Sequence, residues 1–296
     1  MKKRIFKGAG VAIVTPFHPD GSVNFEKLGE LIEFQVAGGT DAIIVCGTTG
    51  ETSTLETDEH IECIKYAVNK TAGRVPVITG VGSNHTAYAV EMSKEAKKAG
   101  VDGILCVTPY YNKASQKGLV AHYSAIAQAT DLPMVLYNVP SRTGCNILPE
   151  TYLELSKIPN IVATKEASGD LSAIAKIRAL CGDELDIYSG NDDQIVPILS
   201  LGGIGVISVL SNVMPKETHD ICQLFFDGKI NESRDLQISL IGLISALFCD
   251  VNPIPVKTAL NMMGFEVGSY RLPMCETTPQ NLARIEAELK IHGLVK

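Results

Sequence analysis

The side chain with the clearest potential for covalent chemistry is Lys165, which closes the apolar run at residues 161–164. Since that run is rich in β-branched residues and a turn signal follows at Gly169, it predicts a buried strand. An ammonium at the edge of a dry interior loses solvation, which favours the neutral amine and lowers its pKa. A neutral amine can attack a carbonyl and form a Schiff base. The alternative is a surface lysine that pairs with Glu166 and does no chemistry.

A second group of candidates lies in the segment Gly47-Thr48-Thr49-Gly50-Glu51, which follows another apolar run. Glycines let the backbone approach a ligand, and successive backbone N–H groups can form a nest for an anion. The two threonine hydroxyls add donors suited to a small carboxylate. A plain tight turn capped by threonine explains the same pattern. The segment contains neither GxGxxG nor GK[ST], so it does not predict a nucleotide site.

The apolar run before the Lys165 strand ends in Tyr137, and Arg142 follows in the next loop. Neighbouring strands lie about 4.8 Å apart. The phenol of Tyr137 could therefore reach an intermediate bound to Lys165 and exchange protons with it. Arg142 could bind a second carboxylate through two parallel hydrogen bonds. The alternative is a core tyrosine followed by a surface arginine.

Three further loops carry weaker signals. Tyr110 and Tyr111 form a pair that packs inside, lines a site or contacts a partner. The segment 189–193 predicts a helix N-cap and no more, and the segment 205–208 predicts close backbone packing near the site. The sequence assigns no substrate contact to two polar residues of these loops, Lys113 and Asp192.

The elements that position these residues alternate along the chain. Eight apolar runs predict strands at residues 9–14, 42–46, 75–79, 103–107, 134–137, 161–164, 185–188 and 205–209. Amphipathic stretches predict helices at 25–37, 58–69, 86–99, 118–129 and 172–180. Such strands pair in parallel through right-handed crossovers. Closing all eight gives the α/β class and a (β/α)₈ TIM barrel, with its chemistry in the loops after the strands. A doubly wound open sheet is the alternative.

The pattern of elements changes at about residue 228. Residues 1–228 are predicted to form the catalytic barrel, and residues 229–296 a C-terminal helical extension. Apolar helical stretches in the extension lie at 236–248, 256–263 and 280–289. The extension could serve assembly or cover a face of the barrel.

Composition narrows the classes of function. The 296 residues carry a formal net charge of −7 and no basic tract, which argues against a nucleic-acid partner. The eight cysteines and six histidines lack CxxC, HxH and HExxH spacings, which predicts free thiols in a reducing cytoplasm and no metal site. The uncharged stretch at 195–215 is broken by proline and glycine, so no membrane partner is expected.

Three of these segments, at residues 47–51, 137–144 and 165–170, closely resemble the dihydrodipicolinate synthase family of pyruvate-dependent class I aldolases. The similarity extends from Gly10 to the C-terminal helices. The resemblance implies that Lys165 condenses with pyruvate and that the enamine adds to L-aspartate 4-semialdehyde. It implies a lyase without a cofactor, acting in diaminopimelate and lysine biosynthesis as a homotetramer built from dimers.

The resemblance also implies roles for individual residues. Thr49, Tyr137 and Tyr111 would form a proton relay, with Tyr111 contributed by a neighbouring subunit. The residues that would contact the substrates are Thr48, Thr49, Arg142, Gly190 and Ile207. Of these, Thr48 and Thr49 would hold the pyruvate carboxylate and Arg142 that of the semialdehyde, while the last two would supply backbone contacts.

Other classes of protein stay open. Sialic acid lyases and keto-deoxy-sugar aldolases share the lysine and the tyrosine, but both lack an arginine that matches Arg142. Sialic acid lyases also typically carry Ser-Thr at the positions of Thr48 and Thr49. A non-catalytic keto-acid-binding barrel would lack the nucleophile or the relay, and a pyridoxal-phosphate enzyme would need a phosphate cradle. The residues present favour the synthase.

A possible regulatory site also follows from the resemblance. Lysine-regulated members bind the inhibitor at a dimer interface with a glutamate and histidines. The matching positions here are Ser53, Thr57, His60, Asn84, Tyr88 and Tyr110. Tyr88 stands where the glutamate would pair with the inhibitor's ammonium, and Thr57 replaces a basic or imidazole residue. Since a charge-assisted contact is worth about 1.5–3 kcal/mol, weak or absent inhibition by L-lysine is predicted.

Overall fold

Eight short parallel strands pair in chain order and close into a barrel. The computed structural model describes residues 2–296. The strands are β1 (Gly8–Ala12), β2 (Ala42–Val45), β3 (Val77–Gly80), β4 (Gly103–Val107), β5 (Met134–Asn138), β6 (Ile161–Glu166), β7 (Asp186–Ser189) and β8 (Gly205–Ser208). Nearly every strand residue is buried. This explains why the runs are continuously apolar, because helices cover the outer face of a parallel barrel.

Helices connect the strands and continue beyond the last one. Those of the barrel are α1 (Phe25–Ala37), α2 (Thr57–Thr71), α3 (Thr86–Ala99), α4 (Gln116–Ala129), α5 (Pro140–Thr143), α6 (Pro149–Leu155), α7 (Leu171–Cys181), α8 (Ile195–Ser200) and α9 (Pro215–Phe226). The rest are α10 (Ile230–Ser239), α11 (Ile241–Leu247), α12 (Ile254–Met262) and α13 (Pro279–Ile291). The predicted (β/α)₈ barrel with C-terminal helices is confirmed. The division at residue 228 stays a prediction, and it falls just after α9.

Several predicted boundaries are wrong by a few residues, and one predicted helix is two. The run at 236–248 divides into the end of α10 and all of α11, with Leu240 between them. Leu240 is buried, so the apolar pattern continues across a break in the backbone helix. The apolar periodicity therefore hides this break.

The register of the middle strands brings the candidate residues together. Tyr137 of β5 pairs with Lys165 of β6, which pairs in turn with Tyr188 of β7. Successive side chains on a strand point to opposite faces. Lys165 therefore lies on the inner face with Tyr137, and Glu166 lies on the outer face.

The described residues hold no cluster of three or more His, Cys, Asp or Glu side chains suited to a metal ion. All eight cysteines are free thiols, and six of them are buried. Between residues 2 and 296, no helix has both the length and the apolar character needed to cross a bilayer.

Candidate active site

Lys165 lies at the carboxyl end of β6 with only 5% of its surface exposed. Its Nζ is 4.6 Å from the centre of the Tyr137 ring. Burial lowers the pKa of the amine from 10.5 to about 8, which the nearby Asp192 carboxylate opposes and the Arg142 guanidinium reinforces. A substantial fraction of this amine is therefore neutral, and so nucleophilic, at slightly alkaline pH.

Glu166 does not pair with Lys165. Its carboxylate accepts hydrogen bonds from Asn138 Nδ2 at 2.7 Å, Tyr152 Oη at 2.7 Å and Ser168 Oγ at 2.6 Å. These partners lie on the outer side of β6 or in the loop that follows it. The surface ion pair between Lys165 and Glu166, considered as an alternative, is therefore absent. The amine of Lys165 has no carboxylate partner on its own strand.

Tyr137 is buried beside Lys165 and contacts the GTTGE segment through Thr48. Burial raises the pKa of the phenol, while Arg142 and the Thr48 side chain lower it. The threonine next to the phenol is thus Thr48. The hydroxyl of Thr49, which the resemblance assigned to the relay, is buried and accepts a hydrogen bond from Asn252 Nδ2 at 3.0 Å.

A cavity of about 380 Å³ opens between the loops after the strands. Thr48, Tyr137 and Arg142 line one part of it. The residues from the candidate regulatory set that line it are Ser53, His60, Tyr88 and Tyr110. Residues of both predicted sites therefore line one cavity in the single chain, although Lys165 and Thr49 are not among its lining residues.

Arg142 lies on α5, the short helix directly after β5, and its side chain is exposed. No carboxylate within residues 2–296 forms an ion pair with it. Its charge lowers the pKa values of both Lys165 and Tyr137. The guanidinium therefore faces the cavity with its donors available for an anion.

Tyr111 stands apart from the other candidates. Its side chain is 90% exposed, and its backbone has a positive φ of 73°. Its backbone N–H bonds to the Thr143 carbonyl at 3.4 Å, which ties this loop to the end of α5. Within one chain, Tyr111 does not line the cavity.

Gly190 and Ile207 both lie in the barrel near the ends of strands that follow β6 in the chain. Gly190 N–H bonds to the Glu166 carbonyl at 2.7 Å, and a Cβ there would lie 2.7 Å from the Cβ of Ala167. Glycine is needed for this close approach. Ile207 is fully buried in the inner barrel cluster that includes Tyr137.

Asp192, to which the sequence assigned no substrate contact, carries a carboxylate near Lys165 and is 2% exposed. The N-cap position in this segment is Asn191, before the short turn at Asp192–Gln194, but its side chain makes no capping hydrogen bond. The Asp192 Oδ2 instead accepts the backbone N–H groups of Val209 at 3.0 Å and Leu210 at 2.9 Å. Its Oδ1 is buried without a hydrogen-bond partner among the described residues. The carboxylate acts on Lys165 through its charge, while burial raises its own pKa.

We expect Asp192→Asn to lower the pKa of Lys165 below its present value of about 8, because the substitution removes the anion that favours the ammonium. The midpoint of pyruvate adduct formation against pH, measured by borohydride trapping, should shift to lower pH. Asp193→Asn is the matched control, since Asp193 is exposed. An unchanged or higher midpoint in Asp192→Asn would contradict the prediction.

Two regulatory candidates, Thr57 and Asn84, do not line the cavity but lie close to residues that do. Thr57 Oγ1 and Tyr88 Oη are 3.4 Å apart, and Asn84 Nδ2 donates to the Tyr110 carbonyl at 3.1 Å. Burial lowers the pKa of His60 from 6.5 to about 4, so that imidazole is neutral at pH 7. This part of the cavity therefore presents hydroxyls and a neutral ring.

Comparison with known proteins gives a consistent result over the whole chain. A model of the dihydrodipicolinate synthetase family matches residues 5–292. A 4-hydroxy-tetrahydrodipicolinate synthase of Caldicellulosiruptor bescii is 57% identical over 290 residues, covering 98% of each chain. A Cyanidioschyzon merolae structure with lysine bound matches with a TM-score of 0.96 and 42% identity, covering 99% of this chain and all of that one. A pyruvate complex of the chloride-inhibited Acinetobacter baumannii enzyme matches with a TM-score of 0.96 and 40% identity, covering 99% of this chain and all of that one.

Proposed function

Because the chain belongs to the dihydrodipicolinate synthetase family, we propose that Lys165 is the residue through which it joins pyruvate to L-aspartate 4-semialdehyde. The reaction is that of a lyase which forms 4-hydroxy-tetrahydrodipicolinate for diaminopimelate and lysine biosynthesis. The observation that carries the residue assignment is the buried Lys165 amine, with a pKa of about 8, packed against the Tyr137 ring.

The first half of the reaction uses the amine and the phenol. The neutral Nζ of Lys165 attacks the C2 carbonyl of pyruvate, and the resulting carbinolamine loses water once its hydroxyl is protonated. Tyr137 supplies and recovers that proton, since it lies beside the amine and contacts Thr48. Loss of a C3 proton from the imine gives the enamine nucleophile. The Gly47–Glu51 segment, with Thr48 and Thr49, holds the pyruvate carboxylate.

The second half requires the semialdehyde to be oriented over the enamine. Arg142 binds its carboxylate, because this guanidinium faces the cavity without a protein counter-ion among residues 2–296. The enamine carbon attacks the aldehyde, and the proton relay protonates the new alkoxide. The amino group of the adduct then attacks C2, closes the ring and releases Lys165.

Assembly completes the relay. Tyr111 is 90% exposed in the single chain and held by a strained backbone, which suits a side chain that enters the site of a neighbouring subunit. A site that borrows Tyr111 needs at least a dimer, and we infer a tetramer built from such dimers.

The decisive experiment measures intact mass after borohydride reduction with pyruvate, followed by a coupled assay with L-aspartate 4-semialdehyde. An adduct at Lys165 together with semialdehyde turnover supports the assignment. An adduct without semialdehyde turnover would move the chain to a sister aldolase, and no adduct would overturn the role of Lys165.

We expect inhibition by L-lysine to be weak or absent, because one charge-assisted contact, worth about 1.5–3 kcal/mol, is missing. The cavity presents the Tyr88 phenol and the neutral His60 where an ammonium would need an anion. Tyr88→Glu should tighten L-lysine binding by about one to two decades, since a charge-assisted hydrogen bond is worth about 1.5–3 kcal/mol.

Titration calorimetry with L-lysine checks this expectation. Tyr88→Gln is the matched control, because it has a similar length to glutamate but no charge. Submillimolar inhibition of the unsubstituted enzyme would contradict the prediction.

A further inference from the structure

The Gly47–Glu51 segment is held in place by side chains from the C-terminal extension. Asn252 Nδ2 donates to Thr49 Oγ1 at 3.0 Å. Glu51 accepts from Lys257 Nζ at 2.8 Å and from the Arg271 backbone N–H at 3.2 Å. These contacts join the loop after β2 to residues that follow it by more than 200 positions.

The contact from Asn252 has a directional consequence for Thr49. A threonine hydroxyl has one hydrogen to donate and two lone pairs that accept. Since Asn252 fills an accepting position, the hydroxyl hydrogen of Thr49 is directed elsewhere. Thr49 is 2% exposed, so its rotamer is fixed by packing as well. The hydrogen bond from Asn252 therefore leaves the Thr49 hydroxyl with its hydrogen free to donate to another group.

Stability alone does not favour an asparagine at this position. Asn252 is 5% exposed, and its Oδ1 is buried without a partner among residues 2–296. A buried amide oxygen that has lost water and gained no donor is destabilising. An apolar side chain of similar size would avoid that cost. Asn252 also lines the cavity that contains Thr48 and Tyr137.

We propose that Asn252 is a positioning residue for the pyruvate carboxylate, acting through the Thr49 hydroxyl. The inference rests on the proposed function, in which the Gly47–Glu51 segment binds that carboxylate. The segment ends at Glu51, which adopts a left-handed conformation with φ of 53°. Its side chain is bonded to Lys257, so this lysine helps to hold the end of the segment in place. The extension thus contributes to substrate binding in addition to any role in assembly.

The test is a double-substitution cycle with Asn252→Leu and Thr49→Val, measured as KM and kcat for pyruvate. Asn252→Leu should raise the KM for pyruvate by about threefold to tenfold, as expected for one hydrogen bond. It should leave the KM for the semialdehyde unchanged and the melting temperature equal or higher. In the Thr49→Val background, Asn252→Leu should have little further effect on the KM for pyruvate.

Asn261→Leu is the matched control. Asn261 belongs to the same extension and donates to the Gly268 carbonyl at 2.9 Å, but it does not line the cavity. This substitution should leave both KM values unchanged.

Two results would overturn the inference: additive effects of Asn252→Leu and Thr49→Val, or a fall in melting temperature with no change in the KM for pyruvate. Borohydride trapping of pyruvate on the unsubstituted enzyme separates this failure from failure of the proposed function. No trapped adduct would overturn the proposed function itself.

Discussion

Lys165→Met should abolish the pyruvate adduct and lower turnover by at least about 10³-fold, as found when a covalent nucleophile is removed. Methionine fills similar space at this buried position but has no amine. The loss should appear at every pH, because the substitution removes the nucleophile itself. Mass spectrometry after borohydride reduction measures the adduct, and the coupled assay measures turnover.

Lys176→Met is the matched control for this experiment. Lys176 lies on α7 and is exposed, so its loss should leave both the adduct and the turnover unchanged. An adduct that persists in Lys165→Met would contradict the assignment and require another amine as the nucleophile.

Arg142→Ala should lower kcat/KM for the semialdehyde by about 10- to 150-fold, which corresponds to the 1.5–3 kcal/mol of a charge-assisted hydrogen bond. The pyruvate adduct should still form. Burial is the main cause that lowers the pKa of Lys165 to about 8, and the charge of Arg142 adds to it, so removal of Arg142 should raise that pKa. The pH midpoint of adduct formation should therefore shift upward.

The variant Arg142→Lys separates charge from geometry. Lysine keeps the positive charge near Lys165, so the pH midpoint should stay close to that of the unsubstituted enzyme. It cannot donate two parallel hydrogen bonds, so most of the loss in semialdehyde efficiency should persist. A rise in the KM for pyruvate alone, with normal semialdehyde kinetics, would show that the guanidinium binds the other substrate.

The barrel and the position of Lys165 at the end of a buried strand could be predicted because their signals are local. An apolar run predicts each strand, and Lys165 ends one of these runs. In a barrel, the end of a strand also specifies the face on which a side chain lies. The prediction therefore required no knowledge of distant contacts.

The contacts of Asp192 and Asn252 could not be predicted in the same way. Asp192 is bonded to backbone groups 17 and 18 positions later, and Asn252 to a hydroxyl 203 positions earlier. Neither contact leaves a pattern in the nearby residues. The choice between Thr48 and Thr49 beside Tyr137 likewise depends on side-chain directions in a glycine-containing turn, which spacing does not specify.

The buried ion pair between Glu51 and Lys257 limits how this chain can be recombined with its relatives. Both side chains are almost fully inaccessible, at 3% and 0% exposure. Leaving one such charge without its partner costs about 3–5 kcal/mol, a large share of the about 5–15 kcal/mol that stabilises a typical domain. A chimera that joins this barrel to a foreign C-terminal segment therefore needs a lysine that reaches Glu51.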